Sequence, residues 1–496
     1  MSSSPSPDAA TASRSSARAV AVIVVLGFSS LCAALMQSLV IPIQSELPEL
    51  LGTTASNASW VVTATLLGGA VAMPVTGRLA DLYGKKPVLA VSAAILVVGS
   101  LVCALSDAVG PMIVGRVLQG VAMGYIPVAI SMVREAAPEH LRNTAVAGIS
   151  ATLGVGGALG LPLAAWIAQD FDWHVLFWVS AALAAVMTIG TLVVVPHLRN
   201  AHPGRLDVVG AIGLAVGLVG VLVGVSKGND WGWGAASTLG MIVGGVVVLL
   251  LWGWYELRHH DPLVDLRTTA RRPVLLTNVA AVLIGFGMMA QSIVVPQLLQ
   301  MPTATGYGLG QTILQAGLWM APAGLMMMLF TPVSSRLLTR LGGRTTLAIG
   351  AGVLALGYVV AVFLMDAPWQ LMLASCVASA GVGIGYAAMP TLILTNVPAA
   401  ESAASVGLNS LMRSMGTTVA GAVMAIVLTS HTTVLAPGTP AVPTGGAFQL
   451  CFVIGAAAAA VGAAIVLCIP RQRAGQEEGR HLAAVPDADD EPALVG

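Results

Sequence analysis

Two arginines stand inside apolar stretches that hold no acidic residue to match them. One opens the run Arg116-x-x-Gln119-Gly120, and the other lies in Asn409-x-x-x-Arg413-x-x-Gly416. Spacings of four and three put Asn409, Arg413 and Gly416 on one helical face. A guanidinium keeps its proton at any ordinary pH. These groups can therefore hold or steer charge, but they cannot load and unload a proton. A third constellation is Gly77-x-Leu79-Ala80-Asp81-x-x-Gly84-Lys85-Lys86-Pro87. Here Gly77 permits close helix approach, Asp81 can cap or pair near a helix end, and Lys85 and Lys86 can anchor at lipid headgroups. A fourth is rich in small residues: Gly148, Gly154, Gly156, Gly157, Gly160 and Pro162. The eight His are scattered over loops and ends, and the five Cys lie in apolar runs without a CxxC pair. No catalytic group, metal site or cofactor is expected, and no Walker loop is present for ATP.

The elements that position these groups follow from composition. Of 496 residues, 56% are hydrophobic and only 9% are charged. A soluble domain carries about a quarter charged residues, so this surface suits lipid rather than water. The net charge is zero, which leaves no basic face for nucleic acid. A spanning helix needs about 20 apolar residues. Fourteen spans are predicted, near 20–42, 59–77, 87–106, 110–133, 144–168, 175–196, 207–226, 236–255, 274–297, 312–333, 345–365, 369–391, 405–428 and 448–470. With that count, nineteen of the 22 cationic residues fall on one side, here called the basic face, and only Lys227 falls opposite. The positive-inside rule makes the basic face cytoplasmic and places both termini there. Residues 1–18 and 471–496 read as disordered cytoplasmic tails.

An internal repeat divides the chain. Gln37-Ser38-Leu39-Val40-Ile41-Pro42 returns as Gln291-Ser292-Ile293-Val294-Val295-Pro296. Gly77–Lys86 has a weaker echo in Ser335–Arg344, and Gly120–Tyr125 returns as Gly381–Tyr386. The near-constant offset maps spans 1–6 onto spans 9–14. The expected fold is all-α and integral to the membrane, with a six-helix bundle at 19–198, two extra spans in a linker at 199–273, and a second bundle at 274–470. Parallel repeats of this kind put a substrate site between the bundles and give alternating access by rocking. Candidate cavity residues are the repeat pairs Gln37 with Gln291 and Tyr125 with Tyr386, together with Trp319, Asn409 and Arg413.

The loop motif resembles the signature G-x-L-a-D-r-x-G-r-k-x of the major facilitator superfamily. The inserted pair of spans, Arg116-x-x-Gln119-Gly120 and the Asn409–Gly416 face resemble its fourteen-helix drug:proton antiporter branch, the bacterial multidrug efflux type. The resemblance covers about residues 20–470. It implies a conformational latch at Gly77, Asp81, Gly84, Lys85 and Lys86, and proton coupling through Arg116, Gln119 and Gly120. It also implies an antiporter glycine helix at Gly156, Gly160 and Pro162. There the family's proline falls at Leu161, one residue early, and its closing glycines are Ala164 and Ala165. The branch usually carries an Asp nine residues before Pro42, where this chain has Ala33. No buried carboxylate is found to replace it. Glu46, Asp170, Asp172 and His174 on one side, and Asp81 and Glu135 on the other, remain as proton carriers. An intramembrane charge costs at least about 2.5–3.5 kcal/mol, so Arg116, about 10 Å below the opposite face, reads as functional. Two buried arginines without a buried acid disfavour cations. The resemblance implies a monomeric exporter of drug-like or natural-product amphiphiles in the cell membrane, coupled to protons. An uncoupled or uptake facilitator is the alternative on the same fold, ahead of a membrane sensor or enzyme.

Overall fold

The computed structural model describes residues 7–40, 43–44, 46–198, 204–434 and 441–470. Its membrane helices are α1 (Pro7–Ser38), α2 (Trp60–Tyr83), α3 (Lys85–Ala104), α4 (Val109–Ala136), α5 (Glu139–Asp170), α6 (Val175–Val194), α7 (Val208–Trp231) and α8 (Ala236–Glu256). The second half adds α9 (Arg272–Gln300), α10 (313–341), α11 (343–363), α12 (Pro368–Asn396), α13 (Ser402–Ser430) and α14 (Gly445–Leu467). Among the described residues, length and hydropathy alone mark thirteen stretches as long enough to cross a bilayer. The longest of these, Ile313–Phe363, turns back at Gly342, whose φ of 75° and ψ of 169° break the helix and yield fourteen.

Gly342 occupies the repeat position of Gly84, which has φ 94° and ψ 148°. Both turns on the basic face use the same backbone conformation, one that only glycine enters without strain. A second irregularity also recurs. A tight turn at Ala122–Gly124 interrupts α4, and α12 breaks between Gly385 and Ala388.

The packing repeats as the sequence does. In the first bundle α1 lies on α5 and α6, α2 on α4, and α3 on α4 and α6. In the second, α9 lies on α13 and α14, α10 on α12, and α11 on α12 and α14. Each bundle has its own apolar core, one centred on residues such as Tyr125 and Phe177, the other on Phe448 and Phe452. The bundles meet along two seams, α2 against α13 and α5 against α10. The inserted α7 and α8 form an antiparallel hairpin, and α7 leans on both α2 and α13.

Helix α1 begins at Pro7, inside the stretch expected to be a disordered tail. A Pro at the first position and the alanines that follow favour helix there. Residues 1–6, Pro42 and the expected tail 471–496 lie outside the described residues.

Candidate functional site

The α2–α13 seam is closed at the basic face by one carboxylate. Asp81, only 3% exposed, accepts hydrogen bonds from the backbone N–H of Ala403 at 3.1 Å and Ala404 at 2.9 Å. These amides belong to the first turn of α13, so Asp81 of one bundle caps a helix of the other. The unpaired amides and the dipole of a helix start both favour a negative charge. A charge-assisted bond of this kind contributes about 1.5–3 kcal/mol. Gly77, one turn earlier, brings the backbones together: a Cβ there would stand 2.4 Å from the Ala403 carbonyl oxygen. Lys85 pairs with Glu135 of α4 and reaches the Ser402 hydroxyl at 3.4 Å. Ser131 of α4 meets the same hydroxyl at 2.9 Å. Lys86 is partly exposed.

The α5–α10 seam is the repeat counterpart, with different chemistry. Thr144 and Ser335, the residue equivalent to Gly77, share a hydroxyl–hydroxyl bond of 2.7 Å. Thr339 stands where Asp81 stands in the first half. The two seams are therefore symmetric in position and unequal in charge.

Arg116 is buried in the first bundle at 2% exposure. Its Nε donates to the Val61 carbonyl at 3.0 Å, and its Nη1 donates to Gln119 Oε1 at 2.7 Å. Gln119 Nε2 in turn donates to Ser100 Oγ at 2.9 Å. Gly120 lets α4 touch α2, since a Cβ there would lie 2.3 Å from the Thr65 oxygen. Arg116 and Gln119 line a cavity of about 10 Å³ together with Ala33, Met36, Gln37 and Thr65. That is room for one water at most. Ala33, the position lacking the expected acid, thus faces the arginine it would have neutralised. Gln37 Nε2 is buried there without a hydrogen-bond partner.

The remaining candidates are placed as follows. Gly156 and Gly160 set α5 against α1, with a Cβ at Gly156 falling 2.6 Å from Ala34 Cβ and one at Gly160 falling 2.0 Å from Ser38 Oγ. Pro162 lies inside α5, and the side chains of Leu161 and Ala165 lie outside the described residues. Asn409 donates to Asn278 Oδ1 at 2.9 Å, joining α13 to α9. The Arg413 guanidinium lies 4.5 Å from the Tyr386 ring centre. Gln291 Nε2 donates to the Ser375 carbonyl at 3.4 Å, and Trp319 Nε1 donates to Gln311 Oε1 at 3.1 Å. Tyr125 is fully buried and bonded to Thr191 of α6 at 2.9 Å. The structure therefore gathers Gln37, Arg116 and Gln119 around one space, and Tyr386 with Arg413 around another contact. It does not bring Tyr125 to either.

The reading that no carboxylate is buried is corrected here. Asp81, Asp207 and Glu256 are 3%, 6% and 2% exposed. All three lie near helix ends, where distance from the span centre says nothing about cover by neighbouring protein. Lys227 was also missed. It is 1% exposed and donates to the Ser56 carbonyl at 3.2 Å, to Ser59 Oγ and to Asp230 at 3.1 Å, beneath the Trp60 ring. It closes a span beside Ser226, Asn229 and Asp230, and nothing in that polar setting marks it as buried. On the opposite face His174 bridges Asp172 at 2.6 Å and Asp107 at 3.3 Å. The His174 backbone N–H, and then its ring, hold the Asp172 carboxyl below the usual carboxylate range.

These features of fold and seam agree with the sequence comparisons. The profile of the Major Facilitator Superfamily matches residues 26–421, and again 277–487. The chain belongs to the major facilitator superfamily. Members of this superfamily are membrane transporters of small molecules, not enzymes. Among relatives, the chain is 23% identical over 417 residues to "Uncharacterized MFS-type transporter YhcA" of Bacillus subtilis (strain 168), covering 84% of this chain and 77% of that protein. It is 28% identical over 401 residues to "Multidrug resistance protein B homolog" of Mycobacterium tuberculosis (strain ATCC 25618 / H37Rv), covering 78% and 72%. The human organic anion transporter MFSD10 (TETRAN) superposes with a TM-score of 0.63 at 15% identity, over 90% of this chain and 99% of that one. At that identity the superfamily likeness shows shared fold alone.

Proposed function

We propose that this superfamily member exports drug-like or natural-product amphiphiles by alternating access, driven by proton influx, with the basic face cytoplasmic. The observation that carries this reading is the Asp81 cap across the α2–α13 seam. It is a contact between the two moving halves, on one side of the membrane, that must break for that side to open. Contacts between the bundles run from the basic face, with Gly77 on Ala403 and Thr144 on Ser335, to mid-membrane, with Met73 on Ser414 and Gly154 on Met327. This geometry corresponds to the cytoplasmically closed member of an alternating pair. The relatives named for multidrug resistance support export as the direction.

Arg116 and Arg413 without a facing acid favour neutral or anionic substrates over cations. The cavity of about 10 Å³ beside Arg116 lies within the first bundle and holds no drug; substrate binds between the bundles when they separate. An apolar groove of about 400 Å³, lined by Val20, Ile23, Leu141, Ala145 and Ile149 between α1 and α5, offers amphiphiles a resting place near the basic face.

The test is reconstitution in liposomes under an imposed pH gradient, with labelled neutral, anionic and cationic amphiphiles. Gradient-dependent movement that ranks cations last and is lost in Arg116→Ala is expected. Movement indifferent to the gradient would instead mark an uncoupled facilitator.

A further inference from the structure

The inserted hairpin brings two carboxylates together at the basic face. Asp207 precedes α7 and Glu256 ends α8. Asp207 spends Oδ1 on two donors, the Gly210 N–H at 2.8 Å and the Tyr255 hydroxyl at 3.2 Å. Its Oδ2 and both oxygens of Glu256 are buried with no hydrogen-bond partner. Asp207 Oδ2 and Glu256 Oε1 lie 2.4 and 2.5 Å from the point where a Cβ on Gly210 would stand. The gap between them cannot exceed those two lengths laid end to end. Glycine at 210 keeps a side chain out of the space that both oxygens face.

Among the described residues no Lys, Arg or His lies within 4.0 Å of either carboxylate. Exposed Arg205, two residues before Asp207, makes no ion pair with it, and several other charged groups nearby have partners elsewhere. Arg258 lies on the Trp254 ring at 4.1 Å, and Arg267 donates to the Leu257 carbonyl at 2.9 Å. Arg78 of α2, Arg271 and Asp265 surround Glu401 at the start of α13. The groups that look toward Glu256 are the Trp252 indole N–H and the amides of Leu263 and Val264, which approach without closing a hydrogen bond of ordinary geometry. These positive N–H ends suit one negative charge and repel a metal cation. Two carboxylates this close, shielded from water and unpaired, cannot both be ionised without a large repulsion. One proton shared by the two relieves it.

We propose that Asp207 and Glu256 form a proton-binding site, with one proton held between Asp207 Oδ2 and Glu256 Oε1. The proton comes from water at the basic face, and the site passes from two negative charges to one. Leu263 and Val264, beside Glu256, share an apolar core with Ala70 of α2 and Leu408 and Leu411 of α13. A change of charge at the pair therefore reaches the two helices that carry the Asp81 cap. The pair gives this chain a proton-exchanging group in place of the acid missing at Ala33. That coupling role, unlike the site itself, rests on the export reading above.

Infrared spectra of the purified full-length protein, in water and heavy water, test the site directly. The wild type should show a carbonyl band of a protonated carboxylic acid at neutral pH that Glu256→Gln and Asp207→Asn lack. Gly210→Ala, which presses a methyl group onto both oxygens, should displace it without removing an acid. Spectra identical in wild type and all three variants would overturn the site. Both single amides are isosteric, and melting temperature checks their folding. In the wild type it should fall as pH rises above the ordinary carboxylate range, where the unfolded chain has lost a proton that the folded pair keeps, and level off once the pair gives that proton up; in Glu256→Gln it should stay level. In liposomes, Glu256→Gln should lose gradient-driven transport yet retain gradient-free exchange. If the band is lost but gradient-driven transport persists, the site stands and its coupling role falls. If the wild type ignores the gradient while the band is present, the export reading falls and the site stands.

Discussion

Asp81 is bonded to two backbone amides across the seam, so Asp81→Asn keeps the shape and gives up the charge. It should slow transport severely while membrane insertion, followed by surface labelling, stays normal. Transport at the wild-type rate would remove the latch. At Ala33 the opposite change is informative. Ala33→Asp places a carboxylate in the cavity that Arg116 lines, and it should shift the export ranking of an amphiphile panel toward cations. Asp172 sets a pH dependence. Its folded carboxyl titrates below its unfolded value because of His174. The stabilisation is therefore present at neutral pH and is lost as pH falls through the acid range. The melting difference between wild type and Asp172→Asn should close in acid, and it should be small throughout, because the group is exposed and screened. Residue type and spacing made Arg116, Gln119 and Asp81 legible in sequence. Lys227, Asp207 and Glu256 were not legible, because each sits at the edge of a span. What buries them is a neighbouring helix that no local pattern announces.

Fourteen helices could be counted because lipid demands a near-continuous apolar run, and charge and Pro/Gly breaks separate one run from the next. The starts were less visible, as at α1, where polar and small residues before the span still form helix. Gly84 and Gly342 end one helix and begin the next with the same left-handed dihedral. An alanine at either position should cost about 1–3 kcal/mol and lower the melting temperature in detergent. Gly352, a helical glycine whose added Cβ would meet nothing within 4 Å, is the control, and Gly352→Ala should leave stability level or raise it. Equal effects at 342 and 352 would refute the strain argument. The glycines of α5 illustrate how far a motif can be read. Their spacing announced a close contact, and the structure sets Gly156 and Gly160 against α1 and Gly154 against Met327 of α10.

The two bundles are joined by seams that only a three-dimensional structure could pair, although the repeat foretold that there would be two equivalent halves. Thr144 and Ser335 touch across the α5–α10 seam. Thr144→Cys with Ser335→Cys should crosslink under mild oxidation and stop transport, and reductant should restore it. Transport that continues at full rate in the crosslinked protein would show that this seam never parts. Among the described residues the hairpin of α7 and α8 packs chiefly on α2 and α13, on the flank away from the α5–α10 seam. A molecule with two matching flanks has been given an outrigger on one of them. Opening on that flank must drag two further helices through the lipid. The other flank can part unladen, so the motion should be a lopsided hinge, with the bare side leading and the burdened side following.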